Sequence, residues 1–487
     1  MKYKIFIIIF IIFIQQLSAH NYVRLKAGIH FDSQVSGGKY SLEELAYIIG
    51  NSDLDVAIIT DHDNMEVKYG PSFFRNAFHF KVARNSVTKL GFNTYIDKIN
   101  GLNEFYSDVE IIPGIEAVPY YSWQGHISSG NLTLKNWHRH LLVFGFDDVL
   151  TFKNLPSIKK GFPLTNSVLT NLGKNFFYYV FILLIFTLTL YVLLLILKRQ
   201  QISFTKIILL LIFFYLIIVE FPYIKSNISP YEPSSSKTAY QTFIDYVNQN
   251  NGLVYWAHPE SEYSADITLP IPFLEQAIQV DTDQYTDLVY STQNHDGFAV
   301  FWEGIKILGK PAGIWDLSLK EYINGERNQP LFVLGELDFE ETNDLSLINE
   351  TNTFIFAKNP SRKAIFDAFR QGRMYTTRSF LGNKLTLSDF TAYNLKDETS
   401  AFIGETLTVK KDPVAIHIKA EALNFDQAQT LTLYRNEIPI KEFSFKDSLD
   451  EWVVDKNYPE NKNFFYKLYG GKDWINLVTN PIFVSNQ

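Results

Sequence analysis

The stretch YVRLKAGIHFDSQVSGGKYSLEELAYIIGNSDLDVAIITDHD, residues 22–63, holds an apolar strand-like run (22–31), a helical run (41–50) and a second strand-like run opening at Val56. Strand, helix and strand in that order argue for an α/β domain built on parallel strands. The alternation continues outward through IIPGIEAV (111–118), HLLVFGF (140–146), YQTFIDYVNQN (240–250) and GLVYWAHP (252–259). At or just past the end of each strand-like run stand polar residues, where α/β folds keep their active sites.

The chain around this stretch has 487 residues, enough for two or three domains of ordinary size. Its 44 Lys and Arg against 52 Asp and Glu leave a net charge of −8 and no positive field for phosphate backbones, so no nucleic-acid partner is expected. Cysteine is absent, which removes disulfides, thiolate metal sites and Cys nucleophiles; any metal must rest on His, Asp and Glu. A hydrophobic content of 46% excludes global disorder.

Three segments read as non-catalytic. Residues 1–19, MKYK followed by IFIIIFIIFI and QQLSA, have the layout of a secretory signal peptide. Residues 175–224 read as a two-helix transmembrane hairpin, with an uncharged run at 176–197 and a second at 202–222. Lys198, Arg199 and Lys206, which precede the apolar core Ile207–Val219 of the second span, make a basic cytoplasmic loop, so both flanks face outward and the expected location is a membrane protein with an extracytoplasmic catalytic domain. The hairpin divides the α/β domain into 20–174 and 225–393, the second part closing with an amphipathic helix in SRKAIFDAFRQGR (361–373). From 394 to 487, runs such as VAIHIKAEA and TLTLYRNEIPIKEFSF, separated by turn clusters, predict a small antiparallel β-sandwich with no cluster of ligand-type residues.

The strand ends carry His30 and Asp32 (GIHFDS), Asp61 and His62 (ITDHD), Glu116 (PGIEA), His140 (HLLVFG), His258 (WAHPE), and Asp338 and Glu340 (LGELDFEE). Imidazole nitrogen and carboxylate oxygen bind zinc, manganese or iron where thiolates are absent. On an extended strand a His-x-Asp pair points both side chains to one face. A single strand histidine is more often a hydrogen-bonded core residue than a ligand, but five such motifs in one domain reverse that reading.

In this order the motifs GIHFDSQVSGG, ITDHD, PGIEA, HLLVFG, AHP and GELDFE resemble the polymerase and histidinol phosphatase (PHP) domain family over roughly 22–165 and 235–385; GRMYTTRSF and WINLVTNPIFV further resemble its carbaryl-hydrolase-like branch. The resemblance implies a distorted (β/α)7 barrel, here interrupted by the transmembrane hairpin and followed by the sandwich. It implies a first metal held by His30, Asp32, Glu116 and Asp338, and a second held by His140 and His258 with Glu116 bridging. His62 and Glu340 would be left for a third ion, since Gly37 and Gly38 stand where the family places a ligand and Glu340 replaces a histidine. Asp32 in place of the family's second histidine makes the site richer in oxygen, favouring manganese or iron over zinc.

The function implied is a metal-dependent hydrolase acting on a small-molecule phosphoester through a metal-bridged hydroxide. Asp338 or Asp61 would accept a proton or orient a histidine, with a capping role open for Asp61. Arg373 and Arg378 are candidate phosphate clamps, with structural salt bridges as the alternative, and His138 and Arg139 are candidate substrate contacts. Two rival functions are a carboxylester, carbamate or amide hydrolase on the same metals, and a degenerate binding or signalling protein.

Overall fold

The computed structural model describes residues 21–70, 78–163 and 228–487, apart from 272–273, 302, 341–342, 380–381, 460–461, 473 and 487, together with isolated positions between 164 and 227. Seven strands frame the site: β1 (Val23–Phe31), β2 (Val56–Ile59), β3 (Glu110–Ala117), β4 (Leu141–Phe144), β5 (Leu253–Trp256), β6 (Gly297–Phe301) and β7 (Phe332–Gly335). They pair in that order. The chain beyond β7 then returns to β1, Leu337 N–H bonding to Ile29 O at 2.8 Å and Phe339 N–H to His30 O at 3.0 Å, so the two ends of the run meet.

The strands are short, apolar and almost entirely buried, as strands covered on both faces must be. Helix α1 (Leu42–Gly50) joins β1 to β2 and buries Leu42, Leu45, Ala46 and Ile49. Its start is fixed by a reciprocal cap: Glu44 N–H donates to Ser41 Oγ at 3.2 Å and Ser41 N–H to the Glu44 carboxylate at 2.9 Å, an arrangement worth about 1 kcal/mol. Helices α2 (Phe92–Phe105), α3 (Ser236–Gln249) and α4 (Ile314–Ile323) precede β3, β5 and β7. Helix α5 (Arg362–Gln371) ends at Gly372, whose φ of +65° favours glycine and where a Cβ would lie 2.2 Å from the Phe332 ring.

Two findings correct the expected fold. Strand β4 runs antiparallel to both neighbours, because β3 reaches it through the small strands Ser122–Gln124 and Thr133–Lys135 rather than through a crossover helix, which a parallel pair needs. Second, a sheet of the C-terminal region is continuous with the strands of the α/β region, while a four-stranded sheet (Thr399–Phe402, Lys384–Asn394, Val414–Leu423, Ser448–Asp455) shares its core. Strand β8 (Thr351–Ala357) pairs with β1, β9 (Met374–Arg378) pairs with β8, and the ladder continues into Leu477–Thr479 and Phe464–Gly470, giving one 15-stranded sheet through both regions. Strand β8 separates two cores: Ile355 and Ala357 face the first, Phe354 and Phe356 the second. The fold is mixed α/β with its strands in large sheets.

The transmembrane hairpin is corrected as well. Among the described residues no helix is long and apolar enough to cross a membrane; the longest, α2 and α3, have 14 residues each, short of the roughly 20 that a span needs. The spans read at 176–197 and 202–222 lie almost wholly outside the described residues, as does the 1–19 leader.

A four-stranded sheet stands over one end of the seven-strand run. It is made by Ser122–Gln124, Thr133–Lys135, Tyr263–Ile271 and Leu274–Thr282, excursions that leave from the C-terminal ends of β3 and β5. Trp123, Trp137, Ile278 and Val280 pack it into a core of its own with Met65 and Val118.

Candidate metal centre

Strand β1 is irregular where it enters this end. Its register with β2 shifts between Ile29 and Phe31, and the intervening His30 has φ +75°. A bulge of this kind re-aims a side chain. Simple alternation therefore does not join His30 to Asp32; the bulge and the turn after it do, leaving His30 Nε2 3.5 Å from Asp32 Oδ2. His258 and Asp338 also adopt positive φ, +23° and +51°. For residues other than glycine this costs about 1–3 kcal/mol each, and such strain gathers at functional sites.

Glu116, at the end of β3 and 1% exposed, is the hub. His62 Nδ1 lies 2.9 Å and His30 Nε2 3.4 Å from its Oε2, while His140 Nδ1 contacts Oε1 and His258 Nε2 lies 3.2 Å from it. Each carboxylate oxygen thus faces two imidazoles. Asp338 Oδ1 stands 3.8 Å from His30 Nε2, its side chain 30% exposed at the mouth of the site. Two groups of side chains converge closely enough to hold an ion: His62, Glu116 and His140, and His30, Asp32 and Asp338. His62, read from sequence as a third-ion residue, shares an oxygen of Glu116 with His30.

A divalent cation fits these residues by a direct structural test. His30 Nε2, Asp32 Oδ2, His62 Nδ1 and Glu116 Oε2 are buried and, close as they lie to one another, none makes a well-directed hydrogen bond among the described residues. Leaving such atoms unmatched costs about 1–3 kcal/mol apiece, so four converging on one point call for a common partner. Electrostatics agree. Burial alone would lower the pKa of His30, yet Glu116, Glu336 and Asp338 hold it well above the ordinary value. Burial likewise opposes Glu116, which raises His62 to about 10 and, with Glu336, His258 to about 9. At His140 burial, aided by His62 and His258, wins and the pKa falls to about 4. Burial would raise Glu116 itself; His140, His62 and His30 hold it well below the carboxylate range.

The other residues singled out from sequence fall around this centre. Asp61 organises the loop after Asp32, accepting Ser33 N–H at 2.9 Å, Ser36 N–H at 3.1 Å and both hydroxyls. Ser36 Oγ also lies 3.1 Å from Asp32 Oδ1, so Asp61 acts on the centre through this loop. Glu340 is mostly buried nearby; burial, with Asp338 and Glu116, raises its pKa. Gly38 has no room for a side chain, since a Cβ would stand 2.0 Å from Asp32 O. His138 stacks on Tyr263 with ring centroids 3.7 Å apart, and the Arg139 guanidinium lies 5.9 Å from the Tyr285 ring centroid. Neither arginine of GRMYTTR reaches the centre. Arg373 bonds Phe356 O at 3.2 Å, and Arg378 pairs with Glu350 at 2.9 Å.

Two residues were missed. Glu336 is fully buried; its Oε2 accepts from His30 Nδ1 at 3.0 Å and its Oε1 from the His258 backbone N–H at 2.5 Å. The signal was present, because Glu336 precedes Asp338 by two residues in the same motif. Tyr285 Oη lies 3.3 Å from His258 Nδ1 and donates to Ala257 O. It comes from a segment after the added sheet, with no motif to mark it.

No family model matches the chain, and no curated protein matches it. Among solved structures it is similar to a two-domain protein from Bacteroides vulgatus that contains a predicted PHP-like metal-dependent phosphoesterase, with 11% identity, 96% of each chain covered and a TM-score of 0.36. It is also similar to a candidate metal-dependent phosphoesterase from Bifidobacterium adolescentis, with 12% identity, 64% of this chain and 87% of that one covered, and a TM-score of 0.26. Neither description concerns a carbaryl hydrolase. The chemistry of the present chain rests on its own residues.

Proposed function

We propose that the chain is a metal-dependent phosphoesterase and that the cluster around Glu116 is its hydrolytic site. The observation that carries this reading is the convergence of His30 Nε2, Asp32 Oδ2, His62 Nδ1 and Glu116 Oε2 as buried atoms that make no well-directed hydrogen bond among the described residues. The phosphoester bond is favoured by the ordered PHP-like motifs. Divalent ions held by His30, Asp32, His62, Glu116, His140, His258 and Asp338 would supply Lewis acidity toward a phosphoryl oxygen and lower the pKa of water.

The protein's own contribution is orientation. Glu336 accepts the Nδ1 proton of His30, which turns the Nε2 lone pair toward the centre. Tyr285 gives its hydroxyl proton to Ala257 O, so its oxygen is left to accept from His258 Nδ1 and the Nε2 lone pair faces Glu116. Asp338, the ligand carboxylate that reaches solvent, is placed to take up a proton from an attacking water. If residues 1–19 direct export, the site works outside the cytoplasm; a reporter fused after residue 30 and assayed for export tests this.

The deciding experiment measures metal content by mass spectrometry and hydrolysis of p-nitrophenyl phosphate and p-nitrophenyl acetate, for the full chain and for Glu116→Gln. About two ions per chain and phosphate-ester turnover, both lost in the variant, are expected from a two-metal site. Turnover of the acetate alone moves the reading to a carbonyl hydrolase. Less than one ion per chain after metal is supplied overturns the enzyme reading.

A further inference from the structure

At the opposite end of β1 a second polar cluster lies outside the centre just described. Lys26 is four residues before His30, about 13 Å along a strand rising ~3.3 Å per residue. It is buried, and its Nζ reaches Asp53 Oδ1 at 2.5 Å and Asn349 Oδ1 at 2.7 Å. From the C-terminal region Lys384 arrives beside it, Nζ bonding Asn352 Oδ1 at 2.8 Å. Arg24 and Lys384 converge on one ring: the Arg24 guanidinium lies 5.4 Å and Lys384 Nζ 5.0 Å from the Phe354 centroid.

The charges do not balance locally. Three cations gather where Asp53, itself two-thirds exposed, is the carboxylate that pairs with a side chain; Asp55 accepts the Lys26 backbone N–H at 2.7 Å. Burial and the nearby Lys26 push the Lys384 amine down to about 7, the signature of cations held together without enough counter-charge. An independent observation points to the missing partner. Asn352 is fully buried and its Nδ2, on the amide that Lys384 bonds, has no hydrogen-bond partner among the described residues. Each cation has at least one acceptor, Arg24 Nη1 donating to Leu387 O at 3.2 Å, but among the described residues Asp53 supplies the one carboxylate bonded to their side chains, and the Asn352 amide N–H is left over.

We propose that Arg24, Lys26, Lys384 and the Asn352 amide form a binding site for a small oxyanion of the phosphate class, remote from the Glu116 centre and independent of its chemistry. Donors of both charged kinds match such an anion's oxygens. The site lies on the seam where β1 and β8 meet the C-terminal region, so occupancy would tie the two together.

The test is titration of inorganic phosphate into the metal-stripped full chain by calorimetry, for the wild type, Glu116→Gln and Lys384→Met. Wild type and Glu116→Gln should bind alike, and Lys384→Met should bind about 10- to 100-fold more weakly, the worth of one charge-assisted hydrogen bond. Because Glu116→Gln removes the hydrolytic centre, failure of that reading leaves this result unaffected. A second measurement needs no variant: limiting acetic anhydride at pH 7.5 should acetylate Lys384 ahead of the other lysines, and phosphate should protect it. Absence of phosphate binding to the wild type, equal binding by Lys384→Met, or acetylation of Lys384 that phosphate leaves unchanged would each overturn the proposal.

Discussion

Two clusters in this molecule each contain one histidine and two aspartates, and they behave in opposite ways. In the C-terminal region His417 bonds Asp389 through Nδ1 at 2.5 Å and Asp450 through Nε2 at 2.8 Å, and its ring stacks on Trp452 at 4.5 Å. Both nitrogens are used, so no lone pair is left for an ion. At His30 the arrangement is reversed. Nδ1 is taken by Glu336, and Nε2 is turned with Asp32 and Asp338 toward a point where no hydrogen bond forms. The backbone differs too: His30 and Asp338 are held at positive φ, whereas His417 keeps ordinary strand backbone in an antiparallel ladder whose register shift, between Leu387 and Asp389, falls on the neighbouring strand. Residue type therefore does not mark a metal site here; strained backbone and unmatched buried atoms do.

The strongest way to break this comparison is to remove one histidine from each cluster. His30→Ala should lose bound metal and at least ~10³-fold of phosphoesterase activity, about 4 kcal/mol of transition-state stabilisation. His417→Ala should keep both. Equal metal content in the two variants, read by mass spectrometry, would sink the distinction.

The same contrast explains what could be read from the sequence. The ligand-type residues of the centre were legible because each sits at a strand end beside a short apolar run, and their order along the chain carried the rest. Strand direction was not legible: β4 looks like its neighbours in sequence, and only the hairpin-like path through Ser122–Gln124 and Thr133–Lys135 makes it antiparallel. The bulge at His30 leaves no trace in composition. The continuous sheet was hidden for a similar reason, since the FIFA half of β8 is apolar on both faces whether one core or two lie against it. In the C-terminal region the cluster at His417 escaped notice because Asp389, His417 and Asp450 come from three strands that are neighbours only in the folded sheet.

A second prediction concerns what joins the two regions. Lys467, buried on Phe464–Gly470, pairs with Asp316 of α4, bonds Tyr469 Oη at 3.0 Å and lies 3.9 Å from the Trp315 ring centroid. Lys467→Met strands a buried carboxylate and should cost about 3–5 kcal/mol in denaturant unfolding, with metal content unchanged. Adding Asp316→Asn should recover much of that loss. If the double variant is as unstable as the single one, the pair is not what couples the regions.

Within the centre, Glu336→Gln keeps the shape but weakens acceptance of the His30 Nδ1 proton. Partners of this kind are worth about 10- to 100-fold in metal affinity, so competition with a chelator should show a loss in that range while the fold survives. A variant that binds metal as tightly as the wild type would mean that the bulge alone aims His30.

The smallest effect belongs to His417, and its value is in the sign. Burial lowers the His417 pKa, but Asp389 and Asp450 outweigh it, so the folded value lies above the ordinary ~6.5. A raised pKa means that the folded state binds the proton more tightly. The contribution to stability is then full below about pH 6.5 and is lost as pH rises through the folded value. The cluster is partly solvent-exposed, which limits the effect to about 0.2–1 kcal/mol. Urea unfolding of wild type and His417→Asn at pH 6 and pH 9 should show the wild type ahead at pH 6 and the gap narrowing at pH 9. A gap that widens with pH would mean that His417 works as a neutral imidazole with a free lone pair, and the contrast with His30 would fail at its root.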